Sequence, residues 1–387
     1  MKKDSFRVGI DIGSYTTRIV VAQPTRTGMR VIAQGYSPTH GVRQGFIVHP
    51  EHVVESILRA KKMVEDAAQI KIEDARLAIN GITLEANVVN THITLDPSTE
   101  IVHPSHIFEL QEKAKYLVEQ KFNNRYVLQV SPIEFFVDDE IVMGNPEGMR
   151  GKKLQARILT FAARDHHISL LQKALADAGI NVTMMIPGQL ALAEAVLSEY
   201  QKMRGVLLVD IGAETVSTTA FEGGVPTSMH VFSIGGNDIT GDIALGLQLP
   251  LDEAENTKRS GNRDDVPQKK LDMIIQARLE DIFELVQKYL GNIKKERALP
   301  AGVILSGGGS RMTSIADYAR VTLKLHSQVS KIAHIANSRA TSPVDHDFLL
   351  AFGLCSDKFD QIEDTSSDWG GFGIIKKIKK ILHQIMP

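Results

Sequence analysis

Two short segments, about 200 residues apart, could each bind the phosphates of a nucleotide. Residues 9–18 read GIDIGSYTTR and residues 209–215 read VDIGAET. In each, a hydrophobic strand runs into an aspartate, one spacer and a glycine, followed by small or hydroxyl residues. Glycine permits close backbone approach to a phosphate, and the aspartates could hold Mg²⁺ through water. One such turn is also typical of a tight β-hairpin, but a pair could clamp a phosphate chain from both sides.

A third glycine turn reads LSGGGS over residues 305–310 and follows the apolar run 301–306. A turn without side chains lets a nucleoside lie flat against the backbone, and a helix that begins there favours an anion nearby. A lone glycine triplet is also typical of a flexible loop. The segment is not a GxxxxGK[ST] phosphate loop, which this sequence lacks.

The elements that would position these turns alternate between strand-like and helix-like patterns, which predicts an α/β fold. Residues 82–155 are predicted to be an insertion with its own small core. Its strands are expected near 87–95, 126–136 and 154–161, around a helix near 105–122. Elsewhere the predicted strands are 7–11, 17–22, 30–33, 76–80, 205–210, 215–221 and 301–306, and the predicted helices are 52–68, 166–178, 251–258, 267–293 and 348–354.

Composition excludes several classes of function. The 387-residue chain is long enough for two or more domains. A net charge of −2 and 6% aromatic residues argue against nucleic-acid binding. The single cysteine, Cys355, excludes an intrachain disulfide and is interpreted as a small buried thiol. We expect no signal peptide and no membrane span. The pair His166-His167 is interpreted as surface or capping residues.

The last seventeen residues, GFGIIKKIKKILHQIMP, combine apolar and basic side chains without one acid. On a helix, the apolar residues fall on one face and the lysines on the other. Such a segment is typical of a helix that lies on anionic lipid, although docking on the protein's own body is the alternative. The residues expected at the membrane are Phe372, Ile374, Ile375, Ile378, Ile381, Leu382 and Ile385, with Lys376, Lys377, Lys379 and Lys380 facing the headgroups.

The order of these motifs resembles the actin superfamily, and within it the FtsA family of bacterial division proteins. The resemblance covers nearly the whole chain. Its most specific parts are HGVRQGFIVHPE at 40–51, NPEGMRG at 145–151, FSIGGNDITGDIA at 232–244 and AENTK at 254–258. A polar linker and a terminal amphipathic helix are also features of that family.

The resemblance implies an α/β, actin-like (ribonuclease H-like) two-domain fold of four subdomains, with an FtsA-type 1C (SHS2) subdomain in place of 1B. The expected boundaries are 1–81, 156–204 and 343–355 for subdomain 1A, 82–155 for 1C, 205–234 and 301–342 for 2A, and 235–300 for 2B. Residues 356–371 would be a flexible linker and 372–387 the membrane helix.

The resemblance also implies that ATP with Mg²⁺ binds between the two halves. Asp11 and Asp210 would hold the Mg²⁺ through water. The residues expected around the nucleotide are Asp11, Gly13, Ser14, Tyr15 and Arg18 in the first half, and Asp210, Gly212, Ala213, Glu214, Thr215, Gly236, Asn237, Glu255, Lys258, Gly307, Gly308 and Gly309 in the second.

One position departs from the pattern of filament-forming actin relatives, in which a Glu or Gln before the second phosphate turn orients the attacking water. The equivalent position here is Gly188, and Gln189 is displaced by one residue. Glycine cannot orient water, which is a large part of catalysis in phosphoryl transfer. We therefore expect ATP to be mainly a structural ligand that is hydrolysed slowly or not at all, with Gln189 as a weak catalytic candidate.

The function implied by the resemblance is that of an adaptor. Such a protein would self-associate on the cytoplasmic face of the inner membrane at the division site, bind acidic phospholipid, and tether the C-terminal peptide of FtsZ through residues near 235–300. Other division proteins would be further partners. Two alternatives stay open: a PilM-like scaffold of pilus assembly, which is not expected to carry the terminal helix, and a small-molecule kinase of the same superfamily.

Overall fold

The computed structural model describes residues 6–26, 28–262, 266–295, 299–331 and 344–360. Within these ranges the chain forms two five-stranded sheets, one four-stranded sheet and a two-stranded hairpin. The C-terminal segment predicted to lie on a membrane falls outside the described residues. No helix in the described part of the chain is both long enough and apolar enough to cross a bilayer.

The sheet of the first half is centred on β1 (Arg7–Ile12), an apolar strand that carries Asp11 next to its last residue. Strand β1 is antiparallel to β2, which is antiparallel to β3, and it is parallel to β6 on its other side, with β11 outermost. The strands are β1 (Arg7–Ile12), β2 (Thr16–Thr25), β3 (Gly28–Pro38), β6 (Asp74–Ile79) and β11 (Asn181–Pro187).

Four helices of the first half pack near this sheet and its cleft edge. Helix α1 (Pro50–Ala68) begins with proline at its first turn, where no intrahelical N–H is needed. Its buried residues Val53, Ile57, Ala60 and Val64 recur at helical spacing and face β2 and β3. The other three are α3 (Asp165–Asp177), α4 (Gly188–Val196) and α10 (Leu349–Gly353).

The sheet of the second half repeats the same arrangement. Strand β12 is central, antiparallel to β13 and parallel to β15, with β14 and β16 outermost. The strands are β12 (Val206–Ile211), β13 (Val216–Glu222), β14 (Val225–Phe232), β15 (Val303–Ser306) and β16 (Ser327–Val329). The helices are α5 (Glu199–Arg204), α6 (Gly236–Leu247), α7 (Leu251–Ser260), α8 (Gln268–Asn292) and α9 (Ile315–Leu323).

The insertion forms a separate sheet with its own core, as the sequence predicts. Its strands are β7 (Glu85–Thr94), β8 (Arg125–Val137), β9 (Glu140–Val142) and β10 (Lys153–Arg164), in the order β7-β10-β8-β9. Helix α2 (Pro104–Lys121) packs on it through Leu110 and Ala114, which are fully buried. Strand β10 runs past residue 155, so this sheet extends further along the chain than the expected subdomain boundary.

A small hairpin joins the first sheet to the cleft. Strands β4 (Val42–Arg43) and β5 (Phe46–Ile47) are connected by Gln44 and Gly45, whose φ angles are 49° and 78°. Two positive φ angles are the geometry of the tight turn that suits a two-residue hairpin. Glycine is needed at position 45 because a Cβ there would lie 2.4 Å from the Cα of Gly81.

Two expectations from the sequence are wrong. The linker does not begin at residue 356: a short 3₁₀ turn at Asp357–Phe359 packs on the body and buries Phe359, and Asp360 forms ion pairs with Arg7 and Arg76. His167 is not a surface residue, because it packs against Phe46 and is only 1% exposed. Cys355, by contrast, is a buried thiol as expected, and burial raises its pKa to about 12.

Candidate functional site

The two aspartate–glycine turns have the same structure in the two halves. Strand β1 turns into β2 where the N–H of Gly13 donates to the carbonyl of Thr16 over 3.2 Å. Strand β12 turns into β13 in the same way, since Gly212 donates to the carbonyl of Thr215 over 2.8 Å. Each turn is therefore a tight β-hairpin, which is the alternative that the sequence left open for a single turn. Both turns lie at the same edge of their sheets.

The second turn is supported from behind by the start of helix α6. Gly236 donates from its N–H to the carbonyl of Gly212 over 2.9 Å, and Asn237 donates to the carbonyl of Ala213 over 2.7 Å. These bonds hold the first residues of α6 against the turn. A helix N-terminus carries partial positive charge that favours an anion.

The third turn follows β15 and is shaped by its glycines. Gly307 has φ +80°, and a Cβ there would lie 2.3 Å from Oδ1 of Asp210. A Cβ on Gly309 would lie 2.3 Å from Cγ2 of Ile211. Gly308 differs, because a Cβ there would meet nothing within 4 Å. The turn therefore packs tightly on β12 on one side and leaves open space on the other.

One cleft of about 460 Å³ lies between the two halves, within the range of small-molecule sites. All the residues that the sequence predicted around a nucleotide line it. The turns therefore come together from positions about 200 residues apart. Among the lining residues that sequence reasoning missed are Gly45, Asn80, Gly81, Ser217, Arg259, Arg311 and His346.

Asn80 could have been found from the sequence. It is a polar residue directly after the buried strand β6, which is parallel to β1, so its side chain emerges at the same sheet edge as Asp11. Arg259 gave only a weak signal, as the neighbour of Lys258 on a helix. His346 gave no signal in the sequence, since its position beside the cleft depends on how the chain returns to the first half.

Asp11, which is buried, and Asp210, which is half-buried, both line the cleft, and each accepts a hydrogen bond from an amide. Asn80 donates from Nδ2 to Oδ1 of Asp11 over 2.9 Å, and Gln189 donates from Nε2 to Oδ2 of Asp210 over 3.1 Å. Burial raises the pKa of Asp11 to about 6, while Arg18 opposes this rise and Asp210 adds to it. Burial also raises the pKa of Asp210. Two carboxylates in this state favour a nearby cation, which stabilises their charged forms.

Gln189 does not line the cleft. The residue is 1% exposed, and its amide donates to the carboxylate of Asp210 and does not line the cleft. Gly188 begins α4 beside Asn80, whose amide fills the space next to it. In this structure neither residue presents a polar side-chain atom to the cleft.

Glu255 and Lys258 form one network on the second half. Lys258 Nζ lies 2.6 Å from Oε2 of Glu255 and donates to the carbonyl of Gly236 over 2.8 Å. Thr240 also donates to Oε2 of Glu255 over 2.6 Å. Burial raises the pKa of Glu255, but these donors outweigh it and hold the pKa below its usual range. The network links helices α6 and α7 and fixes the wall of the cleft.

The contacts between the two halves include the hydrogen bond from Gln189 to Asp210 and contacts at two further places in the cleft. The hairpin tip donates from the N–H of Gln44 to Oε2 of Glu214 over 2.5 Å, and Arg43 lies 3.8 Å from the same carboxylate. At the second place, the guanidinium of Arg259 lies 5.2 Å from the centre of the Tyr15 ring. Gly45 meanwhile donates from its N–H to Oγ of Ser14 over 3.0 Å, within the first half.

The donor set fits Mg²⁺ with ATP. In the described part of the chain no group of three or more His, Cys, Asp or Glu side chains is close enough to hold a metal directly. Asp11 and Asp210 alone would suit Mg²⁺, which keeps several water ligands and is completed by phosphate oxygens. Backbone N–H groups at the turns, together with Arg18, would supply positive charge for the phosphates.

Comparisons with known proteins identify the family. The family model described as "Cell division protein FtsA" matches residues 207–347, and the model "SHS2 domain inserted in FTSA" matches residues 83–161. The chain is also 26% identical over 357 residues to the cell division protein FtsA of Bacillus subtilis, covering 87% of this chain and 80% of that protein. The chain belongs to the FtsA family.

Solved structures show how the FtsA-family chain folds. It superposes on the PilM–PilN type IV pilus biogenesis complex with a TM-score of 0.68, at 18% identity, over 91% of this chain and 98% of that chain. It superposes on MreB5 of Spiroplasma citri bound to ADP with a TM-score of 0.54, at 11% identity, over 94% and 99% of the two chains. The fold is therefore actin-like, as expected, and likeness at these identities concerns the fold alone.

The SHS2 domain is the insertion of this FtsA-family protein. The match begins at residue 83 and covers β7, α2, β8, β9 and most of β10. The sequence expected this unit in the segment 82–155. The resemblance to PilM is one of fold, whereas both family models that match are those of FtsA, a cell division protein.

Proposed function

We propose that this FtsA-family protein binds ATP with Mg²⁺ in the cleft, self-associates, and tethers FtsZ to the cytoplasmic face of the inner membrane at the division site. The nucleotide would join the two halves and stabilise them by mass action. Hydrolysis would be slow or absent. The observation that carries ATP binding is that both aspartate–glycine turns and the glycine triplet line one cleft.

Each part of the nucleotide has a matching surface. The turns at Gly13 and Gly212 would take the phosphates, with Asp11 and Asp210 holding Mg²⁺ through water. The nucleoside would lie on Gly307, Gly308 and Gly309, and Glu255 and Lys258 would reach the ribose or adenine. The open space beside Gly308 supports this placement, because no protein atom there would block the nucleoside from lying against the backbone.

Family membership and the sequence of the tail support the proposed partners, FtsZ and acidic phospholipid. The C-terminal peptide of FtsZ would bind the part of the second half near residues 235–300. Residues 372–387 would lie on acidic phospholipid, with the apolar residues 374, 375, 378, 381, 382 and 385 in the bilayer. Burial of aliphatic side chains and lysine attraction must offset the ordering of the helix, so one tail binds weakly. Several tails on one filament would bind firmly through effective concentration.

Substitution in the glycine triplet tests the ATP site. Gly308→Ala should leave folding intact, since its Cβ meets nothing in the protein, but should weaken MgATP binding in calorimetric titration. Gly241→Ala is the matched control, because a Cβ there also meets nothing within 4 Å and Gly241 does not line the cleft. Unchanged affinity in Gly308→Ala would place the nucleoside elsewhere.

Cosedimentation with vesicles of acidic phospholipid tests the tether. Ile378→Glu or Ile381→Glu should abolish vesicle binding and leave MgATP binding intact. Gln384→Glu is the control, since it adds the same charge on the polar face of the predicted helix. Recruitment of a peptide with the FtsZ C-terminal sequence to the vesicles should require the wild-type tail. Vesicle binding by Ile378→Glu equal to that of wild type would contradict the membrane role.

A further inference from the structure

The contact between Tyr15 and Arg259 joins two elements that belong to different halves of the molecule. Tyr15 lies in the turn between β1 and β2, and Arg259 lies near the end of α7. The guanidinium carbon is 5.2 Å from the ring centre, within the distance of a cation–π contact. Both residues line the cleft, so their contact spans its mouth.

Both partners are held in place before they meet. Arg259 donates from Nε to Oε1 of Glu255 over 3.0 Å, while the other oxygen of Glu255 holds Lys258 and Thr240. The carbonyl of Tyr15 accepts from the N–H of Thr39 over 3.0 Å, which ties its turn to the end of β3. The ring and the guanidinium are therefore presented by fixed supports, which reduces the entropy lost when they stack.

Neither side chain belongs to a hydrophobic core. Tyr15 is 43% exposed and the Arg259 side chain is 61% exposed. A large aromatic residue at the mouth of a polar cleft is not explained by packing within its own half. Exposed cation–π contacts are also weak, so this one can open and close without unfolding either half.

We propose that the Tyr15–Arg259 pair is a strap that closes the cleft over bound nucleotide and must open before the nucleotide leaves. The proposal rests on the proposed ATP site. The pair would then control the rate of nucleotide exchange, because a ligand between the halves is released only when Tyr15 and Arg259 separate.

Stopped-flow release of a fluorescent methylanthraniloyl-ATP, chased by excess unlabelled ATP in MgCl₂, tests the strap. Tyr15→Ala and Arg259→Ala should each raise the release rate about two- to five-fold, the loss expected for one exposed cation–π contact. The double variant should release no faster than the faster single variant, because both remove the same contact. Tyr15→Phe keeps the ring and should retain most of the slow release.

Arg320→Ala is the matched control, an exposed arginine on α9 that pairs with Asp317 and does not line the cleft. Release at the wild-type rate in Tyr15→Ala overturns the strap. The strap is also overturned if Arg259→Ala binds the labelled ATP more slowly, in a salt-dependent way, while Tyr15→Ala has no effect. That result would make Arg259 a phosphate ligand. If the wild-type protein binds no labelled ATP, the proposed function itself is wrong; if it binds and only the strap prediction fails, the proposed function stands.

Discussion

A Cβ atom on Gly188 would lie 1.9 Å from Oδ1 of Asn80. Asn80 therefore occupies the space that any side chain at position 188 would need. The same amide donates from Nδ2 to Asp11, and the residue after Gly188 donates to Asp210. The glycine at the start of α4 thus allows two amides to hold the two carboxylates of the cleft.

Gly188→Ala should lower the free energy of unfolding by about 1–3 kcal/mol, because the added methyl group must displace Asn80. Asn80→Ala removes the obstruction, so the double variant should cost clearly less than the sum of the two single variants. Urea unfolding of the three variants measures this coupling. Additive losses would show that the two positions are independent.

Gln189→Ala should lower stability by about 1–3 kcal/mol, because the half-buried carboxylate of Asp210 loses its amide donor. It should leave the rate of ATP turnover as low as in wild type, since Gln189 does not line the cleft. Phosphate release measured with purified protein checks the turnover, and urea unfolding checks the stability. Rapid turnover in wild type that Gln189→Ala abolishes would instead make Gln189 the residue that orients water.

His167 should make the protein less stable in mild acid. Burial lowers its pKa to about 4, against 6.5 in the unfolded chain. Between these pH values the imidazole binds a proton in the unfolded chain but not in the folded chain. The free energy of unfolding is therefore unaffected by this group above pH 6.5 and falls as the pH drops toward 4. At pH 5 the loss should be about 2 kcal/mol relative to pH 7.5.

Urea unfolding at the two pH values measures this loss, with His167→Gln as the comparison. Glutamine can still bond to Oγ1 of Thr83, the partner of the histidine Nδ1 over 2.5 Å, but does not titrate. Its stability should therefore depend less on pH. An equal pH dependence in the two proteins would assign the acid sensitivity to other groups.

Asp360 should contribute to the stability of the folded body. Asp360→Ala removes the carboxylate that pairs with both Arg7 and Arg76, and should lower the free energy of unfolding by about 1–3 kcal/mol. A chain that ends after residue 360 should unfold several degrees above one that ends after residue 355, because only the longer chain keeps Phe359 and Asp360. Thermal unfolding of the three proteins makes the comparison; equal temperatures for both truncations would restore the linker boundary predicted at 356.

Much of the fold could be predicted because it depends on local pattern. The strands that carry Asp11 and Asp210 are runs of apolar residues, and the glycines after them are needed by tight turns wherever these occur. The duplicated arrangement was predictable from the repeat of that pattern. The insertion could be recognised by its own cluster of strands around one helix.

The site was predictable as a set of residues but not as an arrangement. Nothing local shows that Arg259 reaches Tyr15, or that the hairpin at Gln44 meets Glu214, since these pairs lie far apart in the chain and touch only when the halves face each other. Spacing in the sequence makes Gln189 a weak catalytic candidate, but only the structure shows that its side chain bonds to Asp210 from the start of α4.

The sequence by itself determined the apolar strands, the glycine turns at their ends and the family to which the chain belongs, because backbone sterics and hydrophobic periodicity act over a few residues. Only the tertiary structure decided which polar groups meet at the cleft, that His167 is buried, and that Asp360 is part of the body. Those outcomes depend on contacts between residues far apart in sequence, whose burial and charge pairing are set when the two sheets and their helices pack together.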